Sequence, residues 1–430
     1  MCGIMVSKKS DDYGFEMKHR GLHTKIVHEK GIVFFHEHLP IQASFEDNPI
    51  IETERFIILF NGEIFHDDYD NDLEYISDTF RANTLFEAIE DIIQQDGFYS
   101  FIIYDKDHKN IYCFTDPLGK KQLYFNDKSI ASELRPLAKG SINNLHLSKT
   151  IKFGYVTDDS TPYWNIKRIL PNQLYTFNIN FRLLNVSDTM YKFQPRQGDL
   201  YDIIDKAVIN RLKGHENIGL LLSGGLDSSI IHHHIDKQRK HLELTKEVNT
   251  YCVDNLGDYK YAKAVDENVE LIDLDHSDEA LVAMEMPMDL GSMYPQYSLF
   301  KQVDETVILT GDGADEVFGG YRRMNEYDSQ LSDIFDELPF YHNVRLDRMS
   351  MIHTKEVRSP FLSLKVIEYA LGLPYEQRVN KQHLRDRYKG VLHTDIVNRP
   401  KEPLKTDIIR QSNGVSYRKQ LVDKWLKDNS

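Results

Sequence analysis

The chain of 430 residues holds three cysteines, Cys2, Cys113 and Cys252, and none is spaced as CxxC. That spacing excludes a CxxC redox or zinc pair and fits a reducing cytoplasm. No apolar run approaches the ~18 residues needed to cross a bilayer. The first twenty residues also lack a basic-then-apolar leader, so neither a membrane partner nor export is expected. Basic residues are in deficit: the formal charge is −15, where a nucleic-acid surface needs clustered Lys and Arg. Internal repeats are absent as well.

What remains is a globular composition, 41% hydrophobic and 28% charged, in a chain long enough for two cores. Its first half is rich in β-branched and aromatic runs separated by turn residues, including "GIVFFHEHL", "RFIILFNGEIF" and "QLYTFNI". One helix is expected there, from about Thr79 to Gln95. Near residue 199 the apolar period changes from two to 3.6. Leu200, Ile203, Ile204, Ala207, Val208 and Leu212 then form one stripe. Beyond it the strand candidates "IGLLLS", "NTYCV", "VELIDL" and "TVILTG" alternate with helices, as in a parallel sheet with crossovers. The acidic "HDDYDND" at 66–72 reads as a solvated loop, and "HHH" at 232–234 as part of a helix that points the three rings to different faces.

Two stretches carry chemistry. The chain opens "MCGI", and removal of Met1 would leave Cys2 with a free α-amine whose ordinary pKa, roughly 7.7–8.0, suits a base for the thiol. In "FNGEIF", the amide of Asn61 and the backbone N–H of Gly62 could hold an oxyanion, and Glu63 could bind an amine. The second stretch, "LLSGGLDSS", runs from an apolar strand through Ser223, Gly224, Gly225, Leu226, Asp227 and Ser228 into a helix. Such a turn cradles phosphate on backbone N–H groups and a helix N-terminus. It lacks the Walker lysine, and Asp227 would repel phosphate unless Mg²⁺ intervened. A partner carboxylate is offered by "TGDGADEVFGG", with Asp312, Asp315 and Glu316 at the end of another strand.

In order, "MCGI", "HRG", "NGEI", "SDT", "DPLGKKQLYF" and "ASELRPL" resemble the glutaminase domain of class-II, N-terminal-nucleophile glutamine amidotransferases over residues 1–185. The loop at 223–229, "GDGADE", "RLDRMSMIHTKEVRSPFLS" and "NRPKEPLKT" resemble the synthetase domain of asparagine synthetases and related PP-loop ATP pyrophosphatases over most of 200–410. The resemblance implies a two-domain α+β and α/β chain: an αββα Ntn-type glutaminase sandwich over 1–190 and a parallel-sheet PP-loop domain over 199–430. It implies a glutamine-hydrolysing, ATP- and Mg²⁺-dependent amide ligase acting on a small carboxylate, aspartate first, in the cytoplasm, with a homodimer as one expected assembly. Cys2 would attack glutamine, Asn61 and Gly62 would serve the oxyanion, and Glu63 and Asp78 the α-amine. Leu221, Val253 and Gly311 would line the nucleotide beside Ser223, Gly224, Gly225 and Ser228. Asp227 and Asp315 would ligate Mg²⁺, Asp312 would lie near the reacting amine, and Lys401 would meet charge in the transition state.

Three departures bear on function. Leu22 and His23 replace the usual Pro-Asp, His38 stands where an arginine clamps the glutamine carboxylate, and Ser363 replaces an aspartate in "PFLS". An imidazole offers at most one directed bond where guanidinium offers two. Two alternatives therefore stand beside the main expectation. One is a ligase or ring-forming synthetase on another carboxylate with a weak or vestigial glutaminase; the other is a non-catalytic sensor of ATP or glutamine.

Overall fold

The computed structural model describes residues 2–8, 14–44, 46–138, 140–214, 217–241, 247–254, 257–274, 277–288, 293–400 and 415–428. Among them the first half forms twelve strands: β1 (Gly3–Lys8), β2 (His23–Glu29), β3 (Ile32–His38), β4 (Ile50–Glu52), β5 (Phe56–Ile64), β6 (Gly97–Asp105), β7 (Asn110–Thr115), β8 (Tyr124–Phe125), β9 (Ser129–Ala131), β10 (Lys167–Arg168), β11 (Tyr175–Asn178) and β12 (Leu183–Val186). They make two six-stranded antiparallel sheets, ordered β10-β8-β9-β1-β3-β2 and β12-β11-β7-β6-β5-β4. The sheets face each other across one apolar layer in which Ile4, Val6 and Phe34 meet Ile57, Leu59 and Ile102, alternate residues of each strand pointing inward.

The outer face of the second sheet is covered by α1 (Asp72–Ala82) and α2 (Leu85–Gln94). The single helix expected from Thr79 to Gln95 is thus two. Asn71 caps α1 by accepting from the Leu73 and Glu74 N–H groups, and Asn83 and Thr84 break the chain before Glu87 accepts from the Thr84 N–H. Asp72 is also corrected: it begins a helix and is buried, whereas its neighbours at 66–71 form the expected loop.

The second half holds β13 (Ile218–Leu221), β14 (Val248–Val253), β15 (Glu270–Ile272), β16 (Val307–Leu309) and β17 (Glu356–Arg358) in one parallel sheet ordered β15-β14-β13-β16-β17. The apolar stripe at 200–212 becomes α3 (Leu200–Arg211), and α4 (Leu226–His241) follows β13. Of the three histidines of α4 only His232 stands apart, nearest Asp236 and Asp266, whereas the rings of His233 and His234 lie 5.3 Å from each other against Tyr201, His233 bonding its hydroxyl and His234 reaching Asp205 and Tyr388. Further helices are α5 (Asp258–Val265), α6 (Met293–Gln302), α7 (Asn343–Met351), α8 (Leu364–Leu371) and α9 (Val415–Asp428). Chain order reverses between β13 and β16, so the loops after these two strands open the crevice where ligands bind in such sheets.

Candidate active sites

Cys2 lies at the foot of β1, one residue before the Gly3–Glu37 pair, which sets it opposite His38. His36 and His38 alternate with Phe35 and Glu37 along β3 and so share the inward face. The Cys2 Sγ is 3.7 Å from His38 Nδ1, and the Cys2 N–H donates to Asn61 Oδ1 at 2.9 Å across the sandwich. Burial raises the thiol's pKa, but the field of His36, then that of the chain's N-terminus, and the contact with His38 outweigh it, so Cys2 is held well below the ordinary thiol range.

Gly62 adopts φ +137°, and a Cβ there would sit 1.9 Å from the Phe98 carbonyl oxygen. Only glycine fits this strand between Asn61 and Glu63. Glu63 is buried, accepts from Gln42 Nε2 at 2.5 Å and lies 3.6 Å from Arg358 of the second half. Burial, then the charges of Glu356 and Asp72, raise its pKa well above the usual value.

Asp78 is not brought to the thiol. It sits on the exposed side of α1, where the Tyr69 hydroxyl and Arg81 engage it. One helical turn and a half earlier, Asp72 points inward, its pKa pushed up to about 7 by burial and then by the Cys2 charge. A period-3.6 reading of "NDLEYISDTF" could have separated these two faces. His23 lies exposed on β2, paired with His38 through the backbone register.

In the second half a cavity of about 630 Å³ is lined by Leu221, Ser223, Gly225, Asp227, Ser228, Val253, Gly311, Asp312 and Asp315. Gly224 turns the loop at φ +64°, where a Cβ would come within 2.4 Å of the Tyr261–Ala262 backbone. The Gly225 N–H donates to Ser223 Oγ at 3.3 Å, and α4 starts at the next residue. The cavity also contains a residue the sequence reading missed. Lys381 sits at φ +57° with its Nζ 2.5 Å from Asp227 and 2.6 Å from Asp315. Left-handed backbone at a lysine costs roughly 1–3 kcal/mol, and strain of that kind gathers at functional sites. Arg322, Arg385 and Arg399 line the same space, and Arg399 Nη1 donates to the Ser223 carbonyl at 2.9 Å. Asp227 Oδ1 is buried with no hydrogen-bond partner among the described residues, the position of an acceptor that a divalent cation would fit. Lys401 lies outside the described residues.

Ser363, in the place of the expected acid, donates from Oγ to Asp96 Oδ2 at 3.0 Å. Asp96 also accepts from Arg211 Nη2 at 3.0 Å. The carboxylate is therefore supplied by the first half of the chain, from the turn before β6.

A thiol centre between antiparallel sheets and an anion-suited cavity at the switch point of a parallel sheet define a two-part α/β enzyme. Residues 1–185 match the glutamine amidotransferase domain family, and residues 199–345 and 328–429 match the asparagine synthase family. The chain belongs to the asparagine synthase family. It is 26% identical to a putative asparagine synthetase [glutamine-hydrolyzing] 1 of Methanocaldococcus jannaschii, over 90% of this chain and 77% of that one. It is 25% identical to the asparagine synthetase [glutamine-hydrolyzing] of Cricetulus griseus, over 75% of this chain and 65% of that one. The asparagine synthetase [glutamine-hydrolyzing] 3 of Bacillus subtilis is 25% identical over 87% and 78%.

Proposed function

We propose that the chain forms an amide on a small carboxylate, with aspartate as the acceptor, using ammonia released from glutamine at Cys2 and ATP bound in the 630 Å³ cavity. The observation that carries this reading is the meeting of Asp227, Asp312 and Asp315 with Ser223, Gly225 and Ser228 around one cavity at the switch point. A glutaminase domain over 1–190 and a synthetase domain over 199–430 divide the work.

At the first centre the Cys2 sulfur attacks the side-chain carbonyl of glutamine. A C–S bond forms, the C–N bond breaks, and the departing nitrogen takes a proton to leave as ammonia; water then hydrolyses the thioester. Asn61 Oδ1 is engaged by the Cys2 N–H and its Nδ2 has only a long 3.5 Å contact with Ser100, which leaves Nδ2 to donate to the oxyanion beside the Gly62 N–H. Glu63 and, in place of Asp78, Asp72 are the buried carboxylates suited to the substrate amine.

At the second centre Asp227 and Asp315 would hold Mg²⁺. ATP and Mg²⁺, when bound, supply an adenylyl leaving group for the acceptor carboxylate and neutralise phosphate charge. Ser223, Ser228 and the Gly225 N–H would orient the phosphates, Lys381 and Arg322 would face them, and Asp312 would receive the ammonium proton. Lys401 would meet the developing charge from the segment that follows Pro400.

The test is product analysis with amide-¹⁵N glutamine, ATP, Mg²⁺ and a panel of carboxylates. AMP, pyrophosphate and ¹⁵N-asparagine are expected. ADP with phosphate, or labelled amide only on another carboxylate, would replace the reading. A second reading, synthesis from free ammonia with a weak glutaminase, is favoured by His38. On that reading ammonia supports turnover far better than glutamine does.

A further inference from the structure

We infer that Cys2, His36 and His38 together form a binding site for a thiophilic divalent metal of the Zn²⁺ class, so that metal binding masks the thiol. Each of the three residues is buried, and one ligand atom from each lies within 4.8 Å of the other two. A tetrahedral zinc ion with Zn–S of about 2.3 Å and Zn–N of about 2.0–2.1 Å sets sulfur and nitrogen about 3.6 Å apart. Cys2 Sγ and His38 Nδ1 are 3.7 Å apart.

The second imidazole is prepared in the same way. His36 Nε2 lies 2.9 Å from the Phe60 carbonyl oxygen, which can only accept, so Nε2 carries a proton and Nδ1 is the nitrogen left for a metal, which would take the place of any proton there. A backbone carbonyl on the far nitrogen is the usual outer support of a metal-bound histidine. His36 Nδ1 is buried and has no hydrogen-bond partner in the described structure, a cost that a ligand would relieve. Three protein ligands with an open fourth position is an arrangement zinc accepts readily. The site exists because this chain has an imidazole at 38; an arginine there offers no metal ligand.

Only the regulatory consequence rests on the proposed glutaminase. A metal on the thiolate lone pair withdraws the nucleophile, so Zn²⁺ should stop glutamine hydrolysis and spare synthesis from ammonia.

The experiment uses the full chain stripped with chelator and titrated with Co²⁺. One equivalent should bind with an intense near-ultraviolet thiolate-to-cobalt band, and Zn²⁺ should displace it. Cys2→Ser should lose the band. His36→Gln and His38→Gln should each weaken binding by more than roughly 10–100-fold, the range that even an outer-shell partner carries. His38→Arg, which restores the residue expected at this position, serves if the glutamine variant does not fold. Absence of the thiolate band in the wild-type chain, or wild-type affinity in both histidine variants, overturns the site. A cobalt band from a chain that, in its metal-free form, never hydrolyses glutamine would uphold the site and sink the glutaminase instead.

Discussion

At the residue scale the thiol of Cys2 is defined by a competition that its neighbours win. Full burial alone would raise its pKa, as it does for Cys113, whose thiol is pushed well above the ordinary value with no cation near it. Beside Cys2 stand His36 and His38, and the sign reverses. The thiolate should therefore persist to lower pH than a free thiol. In chelator, the rate of Cys2 alkylation by iodoacetamide should be half-maximal well below pH ~8.5. His36→Gln should move that midpoint upward, because the largest lowering contribution is gone. An unchanged midpoint in His36→Gln would assign the depression to another group. Cys2, Asn61 and Gly62 were readable because their types and order are unusual. His36 was not, since nothing in "FFHEHL" distinguishes an inward ring from an outward one until β3 is placed against the second sheet.

At the scale of elements the nucleotide-side cavity depends on how closely loop and helix approach. The turn after β13 passes so near the first half of α5 that a single methyl at Gly224 meets backbone at 2.4 Å, and backbone cannot rotate aside as a side chain can. Gly224→Ala must also hold φ +64°, so the loop should shift or α5 should move away from β13. The expected cost is about 1–3 kcal/mol from the backbone alone. Carboxylate-dependent ATP–pyrophosphate exchange should be lost, while glutamine hydrolysis at Cys2 should persist. Retained exchange would mean that the loop does not hold phosphate. Four of the five parallel strands announced themselves as apolar runs. β17 did not, because "EVR" is three residues long and two are charged. Glu356 and Arg358 are buried there as each other's partner, with Arg358 also donating to the Arg211 carbonyl at 2.8 Å and lying 3.6 Å from Glu63. Pairing across distant sequence is invisible to local periodicity, and the same reason hid Lys381 between Asp227 and Asp315.

At the scale of the whole molecule the two halves share buried charge and apolar surface. Arg20 donates to the Cys2 carbonyl at 3.1 Å and, through its other nitrogens, to Glu133 at 2.8 Å and to Asp347 of α7 at 3.0 Å. Lys121 reaches the same aspartate at 2.6 Å. Behind this network a small cavity of about 30 Å³, room for roughly one water-sized molecule, is lined by Phe98 and Lys121 of the first half and by Ser350, Val357 and Ser359 of the second. Ser359 in turn bonds the Thr310 hydroxyl at 3.2 Å, beside the Asp312 loop. The gap lies where the two halves meet, so it is a place at which passage of ammonia between the centres can be tested. Ser350→Val should fill it from α7, at about 1–3 kcal/mol of overpacking. Glutamine hydrolysis and ammonia-driven synthesis should each survive, but glutamine-driven synthesis should fall, and the ratio of glutamate to pyrophosphate should rise above one. Partial loss of stability cannot imitate that pattern, because it would lower all three rates together. An unchanged ratio would show that ammonia reaches the second centre by another path.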